Sequence, residues 1–231
     1  MSTLVPLIED YWASALAFAL FGLLHSVGAR EPCKRALARV FGRFFVDHFY
    51  RLVYCALSYY ALYHVVSVLH WDLNRANNNW LVVYPEWLWQ GLLVVHLGAV
   101  AFMYAAFVQS DYLEFWGVKQ AWRGLRRLAG RPPAAPLPLF GTDRLETGGV
   151  YGVVRHPMLA AGFWFLLTSG PSLNNLVFTG LYASYMLVGG YYEEKRLVRI
   201  FGEEYLAYRR RVPPFIPRPW RWAPVSRWAR G

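Results

Sequence analysis

The sequence predicts an all-α integral membrane protein with about five transmembrane helices. Three observations favour this fold class. Only 16% of the residues are charged, against about 25% in an average soluble domain. Apolar blocks close to the length of about 20 residues that crosses a bilayer recur along the chain. The lysines and arginines are sorted into alternate segments between those blocks.

The first three apolar blocks contain no Asp, Glu, Lys or Arg and predict full transmembrane helices over 11–29, 52–71 and 87–110. The first block is preceded by Glu9 and Asp10 and by no basic residue. That charge is wrong for the start of a signal peptide, so we expect this helix to be retained in the mature protein.

The apolar block 157–192 predicts a C-terminal helical hairpin, because the turn sequence SGPSLNN interrupts it. Its first arm, 158–170, would be about 20 Å long as a helix, which is short for a span. The second arm, 173–192, has full length. We therefore expect two regions, a three-helix membrane region over 1–110 and a catalytic region with the hairpin and tail over 111–231.

The basic residues give the expected orientation in the membrane. The amino-terminal segment, the four connections between the predicted helices and the tail hold, in chain order, 0, 6, 1, 7, 0 and 10 lysines and arginines. The positive-inside rule then places the amino terminus outside and the tail in the cytoplasm, which fits a bacterial inner membrane. This sorting explains the net charge of +10 without a nucleic-acid partner. Three tail tryptophans among arginines are typical of an interfacial belt: Trp220, Trp222 and Trp228.

Cysteine and histidine usage indicates neither a disulfide nor a familiar metal site. Cys33 falls in a cytoplasmic loop and Cys55 in a helix, so we expect no disulfide. No CxxC or HExxH spacing occurs. His64 and His96 lie at similar depth in two predicted helices and leave a haem between them as an alternative. More often such histidines are satisfied by a hydroxyl or backbone group of a neighbouring helix.

The triplet Arg155-His156-Pro157 stands where the hairpin begins. Proline is favoured at the first helical position, and it disfavours the helical conformation in the residue before it. We therefore expect Pro157 to begin the first arm, with His156 at its cap. Two basic side chains at the positive end of a helix attract anions. The alternative is an ordinary cationic flank of a membrane helix.

The pair Glu193-Glu194 follows directly on the second arm. Carboxylates at a membrane surface are costly unless they are paired or used. We expect the helix to continue through them, which places five residues on one face: Glu194, Leu197, Phe201, Tyr205 and Tyr208. Arg209 follows one turn after the first tyrosine. The alternative is a solvated helix on which Glu193 meets Arg196 and Glu194 meets Arg199.

A hairpin returns the chain to the membrane face from which it left. The basic corner at Arg155 and His156 and the acidic corner at Glu193 and Glu194 should therefore be neighbours. A ligand with an ammonium, a carboxylate, a diol and an adenine suits such a set of groups. S-adenosylmethionine is such a ligand.

The stretch "GVYGVVRHPM", the hairpin, and then "EE…L…FGEEY…Y…VP…P" resemble the isoprenylcysteine carboxyl methyltransferase-like superfamily of membrane methyltransferases. Within it, the methanethiol S-methyltransferases and NnrU-type proteins are the most similar. The motifs cover about residues 140–217, and "FGLLHSVGAREPCKR" and "FYRLVYCALS" resemble the NnrU-type start. The superfamily motif RHPxY departs here, because Met158-Leu159 stands where the tyrosine is expected, which puts a role for that phenol in doubt.

The resemblance implies a cytoplasmic S-adenosylmethionine pocket and a tunnel open towards the bilayer for an apolar acceptor. Carried over by position, three groups of residues would form the pocket. The cofactor would be bordered by Tyr151, Arg155, His156 and Pro157. Its polar groups would be bound by Glu193 and Glu194, and the pocket would be closed by Tyr205 and Arg209.

The candidate catalytic residues are Arg155, His156 and Arg209. For a thiol acceptor, Arg155 near a helix N-terminus would lower the thiol pKa, and His156 would accept the proton. For a carboxylate acceptor, Arg155 or Arg209 would orient it by forked hydrogen bonds. In both cases most of the rate gain would come from positioning.

We expect methyl transfer to a small thiol or another hydrophobic thiol. Carboxyl methylation of a lipidic, isoprenylcysteine-like substrate is one alternative. A non-catalytic or haem-binding NnrU-type membrane protein is another. A third, an NADPH-dependent sterol-type reductase, lacks support because "TGGVYG" does not follow a predicted strand.

Overall fold

A computed structural model describes residues 4–67, 81–131 and 145–218, with side chains described from residue 11 onward. Within these ranges there is no β-strand, and ten α-helices are present: α1 Leu4–Gly28, α2 Glu31–Phe41, α3 Arg43–His48, α4 Tyr50–Ser67, α5 Glu86–Gln109, α6 Tyr112–Phe115, α7 Val118–Leu128, α8 Pro157–Leu167, α9 Leu173–Phe201 and α10 Glu203–Arg211. A short 3-10 helix, Gly149–Gly152, precedes α8. The predicted tryptophan belt of the tail lies outside the described residues.

The chain forms two compact units. The first comprises Met1–Asn79 and Tyr112–Leu137, and the second comprises Trp80–Asp111 and Pro138–Gly231. The first unit therefore contains α1–α4, α6 and α7, and the second contains α5 and α8–α10. The expected division into a membrane region over 1–110 and a catalytic region over 111–231 stays a prediction.

In the first unit, α1 and α4 meet near the C-terminal end of α1. The Tyr54 hydroxyl donates to the His25 carbonyl at 2.7 Å, and His25 Nδ1 lies 3.1 Å from the Ser58 hydroxyl. Gly28 allows this approach, because a Cβ there would lie 2.8 Å from the Tyr54 ring. The two helices are therefore joined by close packing and by hydrogen bonds between polar groups.

In the second unit, α5 packs on α8. His96 Nδ1 lies 3.0 Å from the Thr168 hydroxyl oxygen, and the His96 ring centroid lies 4.4 Å from that of Phe165. His96 thus has the hydroxyl partner that a histidine in a membrane helix commonly has. Haem binding between His64 and His96 stays a prediction.

Helix α9 runs antiparallel to α8 and packs against it. The Asn175 amide donates to the Leu166 carbonyl at 2.8 Å, and the Tyr182 hydroxyl donates to the Leu159 carbonyl at 3.2 Å. The Ser172 hydroxyl caps the start of α9 by accepting a hydrogen bond from the backbone N–H of Asn175. The order of these contacts along the two helices brings the start of α8 towards the later turns of α9.

Two of the described helices are long and apolar enough to cross a membrane by length and composition: α1, over Tyr11–Gly28, and α5, over Glu86–Gln109. They correspond to the first and third predicted spans. Helix α8 is apolar but shorter. Membrane crossing by the helices in 52–71, 158–170 and 173–192 stays a prediction, and residues 68–71 lie outside the described part of the chain.

Helix α9 continues through Glu193 and Glu194 as predicted, but it ends at Phe201. Gly202 ends the helix with φ 54° and ψ −126°, a conformation that glycine adopts readily and other residues rarely adopt. The prediction of one continuous helix face reaching Tyr208 is therefore wrong. On the separate helix α10, Tyr205 and Tyr208 are buried and pack against three α9 residues: Leu197, Val198 and Phe201.

Candidate active site

The triplet Arg155-His156-Pro157 lies at the start of α8. Pro157 is the first residue of the helix and His156 its N-cap, as predicted. The Arg155 amide donates to the Pro213 carbonyl at 2.8 Å, and the His156 amide donates to the Pro214 carbonyl at 3.1 Å. Two main-chain hydrogen bonds therefore anchor the triplet to the segment that follows α10.

The Arg155 guanidinium uses both of its edges. Its Nε donates to Glu194 Oε1 at 2.9 Å, and Nη2 donates to the same oxygen. Its Nη1 donates to the Arg209 carbonyl at 3.1 Å and to the Val212 carbonyl. The side chain is only 8% exposed. Arg155 therefore joins α9 to the end of α10 and is occupied by protein partners.

The His156 imidazole lies between the two carboxylates. Its Nδ1 is 3.2 Å from Glu193 Oε2, and its Nε2 is 3.4 Å from Glu194 Oε1. Burial lowers the pKa of His156, but the hydrogen bonds and charges of both glutamates outweigh burial and raise this pKa to about 9. The imidazolium form of His156 therefore predominates at neutral pH.

Phe215 covers the other side of His156. The two ring centroids are 5.3 Å apart, and the Phe215 ring also lies over Gly190 of α9, where a Cβ would be 2.7 Å from it. A glycine is therefore required at this point of α9 for the ring to keep its place. Phe215 shields the buried imidazolium from solvent.

Glu194 is the centre of the network. Besides Arg155 and His156, it faces Arg209, whose Nη1 lies 3.8 Å from Glu194 Oε2. Burial raises the pKa of Glu194, but its bonds to His156 and Arg155 and their charges lower it overall. These contacts confirm that the basic and acidic corners are neighbours.

Three tyrosines surround this network. The Tyr208 hydroxyl donates to the Tyr151 carbonyl at 2.6 Å, which fixes the 3-10 helix to α10. The Tyr205 side chain is fully buried, and its hydroxyl lies within reach of the Arg155 guanidinium. Burial and the Glu194 charge raise the pKa of Tyr205 to about 12, against the opposing effect of Arg155. Tyr205 is therefore a neutral phenol.

The end of α5 supplies two residues that the sequence analysis did not identify. The Gln109 amide donates to the Gly148 carbonyl at 2.8 Å and accepts from the Val150 amide at 3.1 Å. The Ser110 hydroxyl oxygen lies 2.7 Å from that of Tyr151. The available signal was a polar pair at the end of a long apolar run. These residues hold the 3-10 helix and orient Tyr151.

Leu159, which stands where the superfamily has a tyrosine, contacts a phenol from another helix. Its carbonyl accepts the hydrogen bond from Tyr182 of α9. The Tyr182 hydroxyl also lies over Gly162, where a Cβ would be 2.3 Å away. A phenol is thus present beside this turn of α8, although residue 159 does not supply it.

An apolar cleft of about 420 Å³ lies in the second unit. It is formed by five residues of α5 and one of α8: Ala99, Val100, Met103, Tyr104, Phe107 and Phe165. Helix α5 ends at the site, where Ser110 follows it, and α8 begins there at Pro157. The cleft and the polar network are therefore built on shared elements.

The model of the NnrU protein family matches residues 15–221 of the chain. The chain belongs to the NnrU family. This confirms the resemblance on which the assignment of the motifs rested. None of the solved protein structures matches this NnrU protein significantly.

Relatives of this NnrU protein are named methyltransferases. It is 28% identical to methanethiol S-methyltransferase 2 of Bradyrhizobium diazoefficiens over 91% of its own length and 74% of that protein. It is 31% identical to the methanethiol S-methyltransferase of Pseudomonas deceptionensis, over 87% and 71% of the two chains. A shorter match, 35% identical over 33% of this chain and 28% of the relative, is to protein-S-isoprenylcysteine O-methyltransferase of Mus musculus. These relatives and the two apolar helices support a membrane enzyme of the methyltransferase class.

In the described part of the NnrU chain, no group of three or more His, Cys, Asp and Glu side chains could hold a metal ion. The side chains that the motifs predict to form the site do lie together in one unit. Tyr151, Arg155 and His156 come from the segment before α8, and the two glutamates come from α9. Their individual roles are proposals.

Proposed function

We propose that this NnrU protein transfers a methyl group from S-adenosylmethionine to a small thiol at the membrane surface. The observation that carries the proposal is the network in which Arg155 and His156 meet Glu193 and Glu194. It occurs in a chain whose relatives over most of its length are named methanethiol S-methyltransferases.

The polar groups around the network fit S-adenosylmethionine. Glu193 and Arg209 have opposite charges, and their side chains are 49% and 48% exposed. Glu193 would hold the ammonium or ribose hydroxyls, and Arg209 would hold the carboxylate by its forked donors. Tyr205 is fully buried against α9 and interacts with Arg155, so it would support the pocket from behind.

The fully engaged residues have a different role in this proposal. Glu194 Oε1 already accepts hydrogen bonds from Arg155, so Glu194 holds the corner together. Tyr151, His156 and Pro157 would form the wall of the pocket. When bound, S-adenosylmethionine supplies an electrophilic methyl group on a sulfonium. The contribution of this chain is to place the acceptor in line with that methyl group.

His156 is better suited to stabilise a thiolate than to accept its proton, because it is already protonated at neutral pH. Arg155, Arg209 and protonated His156 carry three positive charges, and Glu193 and Glu194 carry two negative charges. The excess positive charge lowers the pKa of a nearby thiol. The thiol proton would be released to water.

The apolar cleft suits the hydrocarbon part of the acceptor. Its volume is about 420 Å³, within the range of about 300–1,000 Å³ typical of small-molecule sites. Phe107 lines the cleft and lies three residues before Ser110, whose hydroxyl holds Tyr151. An alkyl thiol in the cleft would therefore lie on the same helix that leads to Ser110.

A lipidic carboxylate is the second candidate acceptor. It is favoured by the local match to the mouse protein-S-isoprenylcysteine O-methyltransferase. In that case Arg209 would serve the carboxylates of both the cofactor and the acceptor, because the Arg155 donors are occupied. No proton acceptor is then needed, since a carboxylate is already ionised at neutral pH.

The proposal is tested by S-adenosylmethionine binding to the purified chain in detergent, followed by a methylation assay with short alkanethiols. We expect Glu193→Gln to weaken binding about tenfold or more, because a hydrogen bond to a charged group contributes about 1.5–3 kcal/mol. The matched control is Glu203→Gln, an exposed carboxylate in the first turn of α10, which should bind within about twofold of the wild type.

The outcomes separate the candidate functions. Binding with thiol methylation supports the proposal, and binding with methylation only of a prenylated cysteine carboxylate replaces the acceptor. Folded wild-type protein that binds no S-adenosylmethionine would overturn the methyltransferase proposal. A non-catalytic or haem-binding role would then remain, and a Soret band of the purified protein would identify the latter.

A further inference from the structure

Helix α7 in the first unit has three distinct sides. Three apolar side chains at spacings of four and three share one exposed side: Val118, Trp122 and Leu125, which are 41%, 59% and 51% exposed. The neighbouring side is basic: Lys119, Arg123, Arg126 and Arg127. The third side is buried, where a Cβ at Gly124 would lie 2.7 Å from the His48 side chain. The helix contains no acidic residue.

This helix lies at the level where α1 ends. The Tyr50 hydroxyl donates to the carbonyl of Gly28, the last residue of the candidate span Tyr11–Gly28. In the same turn of α4, Arg51 Nε donates to the Phe115 carbonyl at 2.8 Å, and α7 begins three residues later. One turn of α4 therefore joins the end of a membrane-crossing helix to the start of α7.

The apolar and basic sides together fit a lipid surface. An interfacial helix buries its apolar side about 5–10 Å below the headgroups, while Lys and Arg stay at the surface. Trp122 is the residue type enriched at that depth. Arg127 on the basic side is exposed and can reach a phosphate, and Arg126 beside it is partly exposed.

We propose that α7 is an interfacial anchor that binds anionic phospholipid headgroups. Val118, Trp122 and Leu125 enter the bilayer, and Arg126 and Arg127 contact the phosphates. Arg123 is held by Glu114 at 3.2 Å and contributes less to lipid binding. The anchor fixes the cytoplasmic side of the first unit at the membrane surface, independently of the reaction catalysed.

The test uses the full chain with Cys33→Ser and Cys55→Ser, reconstituted into phosphatidylcholine vesicles with and without about 30% phosphatidylglycerol. A nitroxide is attached at Trp122→Cys or, on the basic side, at Arg127→Cys. We expect the label at 122 to lie about 5–10 Å below the phosphates in the anionic vesicles and the label at 127 to remain in water.

Charge is tested separately with the label at 122. Replacing Arg126 and Arg127 together by glutamine should reduce the membrane-immersed population about 25-fold, because each basic residue near an anionic surface contributes about fivefold. The matched control replaces Arg35 and Arg39 of α2 by glutamine and should leave immersion unchanged. A label at 122 as water-exposed as the one at 127 overturns the proposal, and so does immersion that is equal with and without phosphatidylglycerol.

Discussion

His156 is the residue whose charge most affects the site. Its pKa is raised to about 9 in the folded chain, against 6.5 when unfolded. A raised pKa stabilises the folded state fully below the unfolded value, and this contribution is lost as pH rises through the folded value. The window of loss is therefore about pH 6.5 to 9, and the contribution is about 3 kcal/mol.

We therefore expect the wild type to lose thermal stability in detergent between pH 6.5 and pH 9. The His156→Gln variant lacks the titrating group and should show a flatter profile across the same window, although it is less stable at pH 6.5. Unfolding followed by circular dichroism at several pH values checks this. Parallel profiles for the two proteins would show that His156 is not the group responsible.

The neighbourhood of the basic and acidic corners could be predicted from the sequence, because a short turn between two apolar arms has one simple topology. The pairing within the corner could not. Arg155 was expected to face an anionic ligand or a thiol, but its donors are used by Glu194 and by the Arg209 and Val212 carbonyls. Those carbonyls lie beyond the break at Gly202, and the sequence pattern does not predict how α10 packs after it.

The 3-10 helix Gly149–Gly152 depends on a glycine against which the Gln109 side chain packs. Gly149 has φ 53°, and a Cβ there would lie 2.4 Å from Gln109 Oε1. We expect Gly149→Ala to displace the Gln109 side chain, lower stability by about 1–3 kcal/mol and reduce activity. Thermal unfolding and the thiol methylation assay measure the two effects.

The adjacent Gly148 provides the control. Its φ of −95° is open to any residue, and a Cβ there would meet nothing within 4 Å. Gly148→Ala should therefore behave like the wild type within about 0.5 kcal/mol. Equal losses of stability and activity in the two variants would contradict the role assigned to the Gln109 side chain.

The helix boundaries show where periodicity is sufficient and where it is not. Pro157 defines the start of α8, because proline fixes the local geometry, and the structure agrees. The single helix predicted across Gly202 is in fact two helices. The prediction failed because a 3.6-residue pattern of apolar positions can continue through a bend when the second helix packs on the first. Tyr205 and Tyr208 are therefore buried, but by α9 itself.

For the whole molecule, the charge alternation predicts five spans with opposite locations for the two termini. A membrane-impermeant maleimide tests this in intact cells, on chains with Cys33→Ser and Cys55→Ser. We expect Ser2→Cys and Asn78→Cys to be labelled from outside, and Ser226→Cys to be labelled only after permeabilisation. Labelling of positions 2 and 226 from the same side would require an even number of spans.

Composition was sufficient to predict a helical membrane protein, and α1 and α5 satisfy length and hydropathy on their own. The helices α4 and α9 contain many tyrosines and asparagines or serines, so they need neighbouring helices to satisfy polar groups within a bilayer. The hydropathy of a segment carries no information on which helices pack against it. This is why the number of spans needs an experiment.

The main-chain contacts of Arg155 and His156 also set an order of assembly during synthesis. Their carbonyl partners, Pro213 and Pro214, lie just after α10, 58 residues later in the chain. At about 5–20 residues per second, the ribosome delivers that segment roughly 3–12 seconds after Arg155. The Arg155 guanidinium therefore obtains its full set of partners only when Val212, the residue after α10, has been made. The site cannot close before this segment leaves the ribosome, although all of α8 and α9 has been synthesised by then.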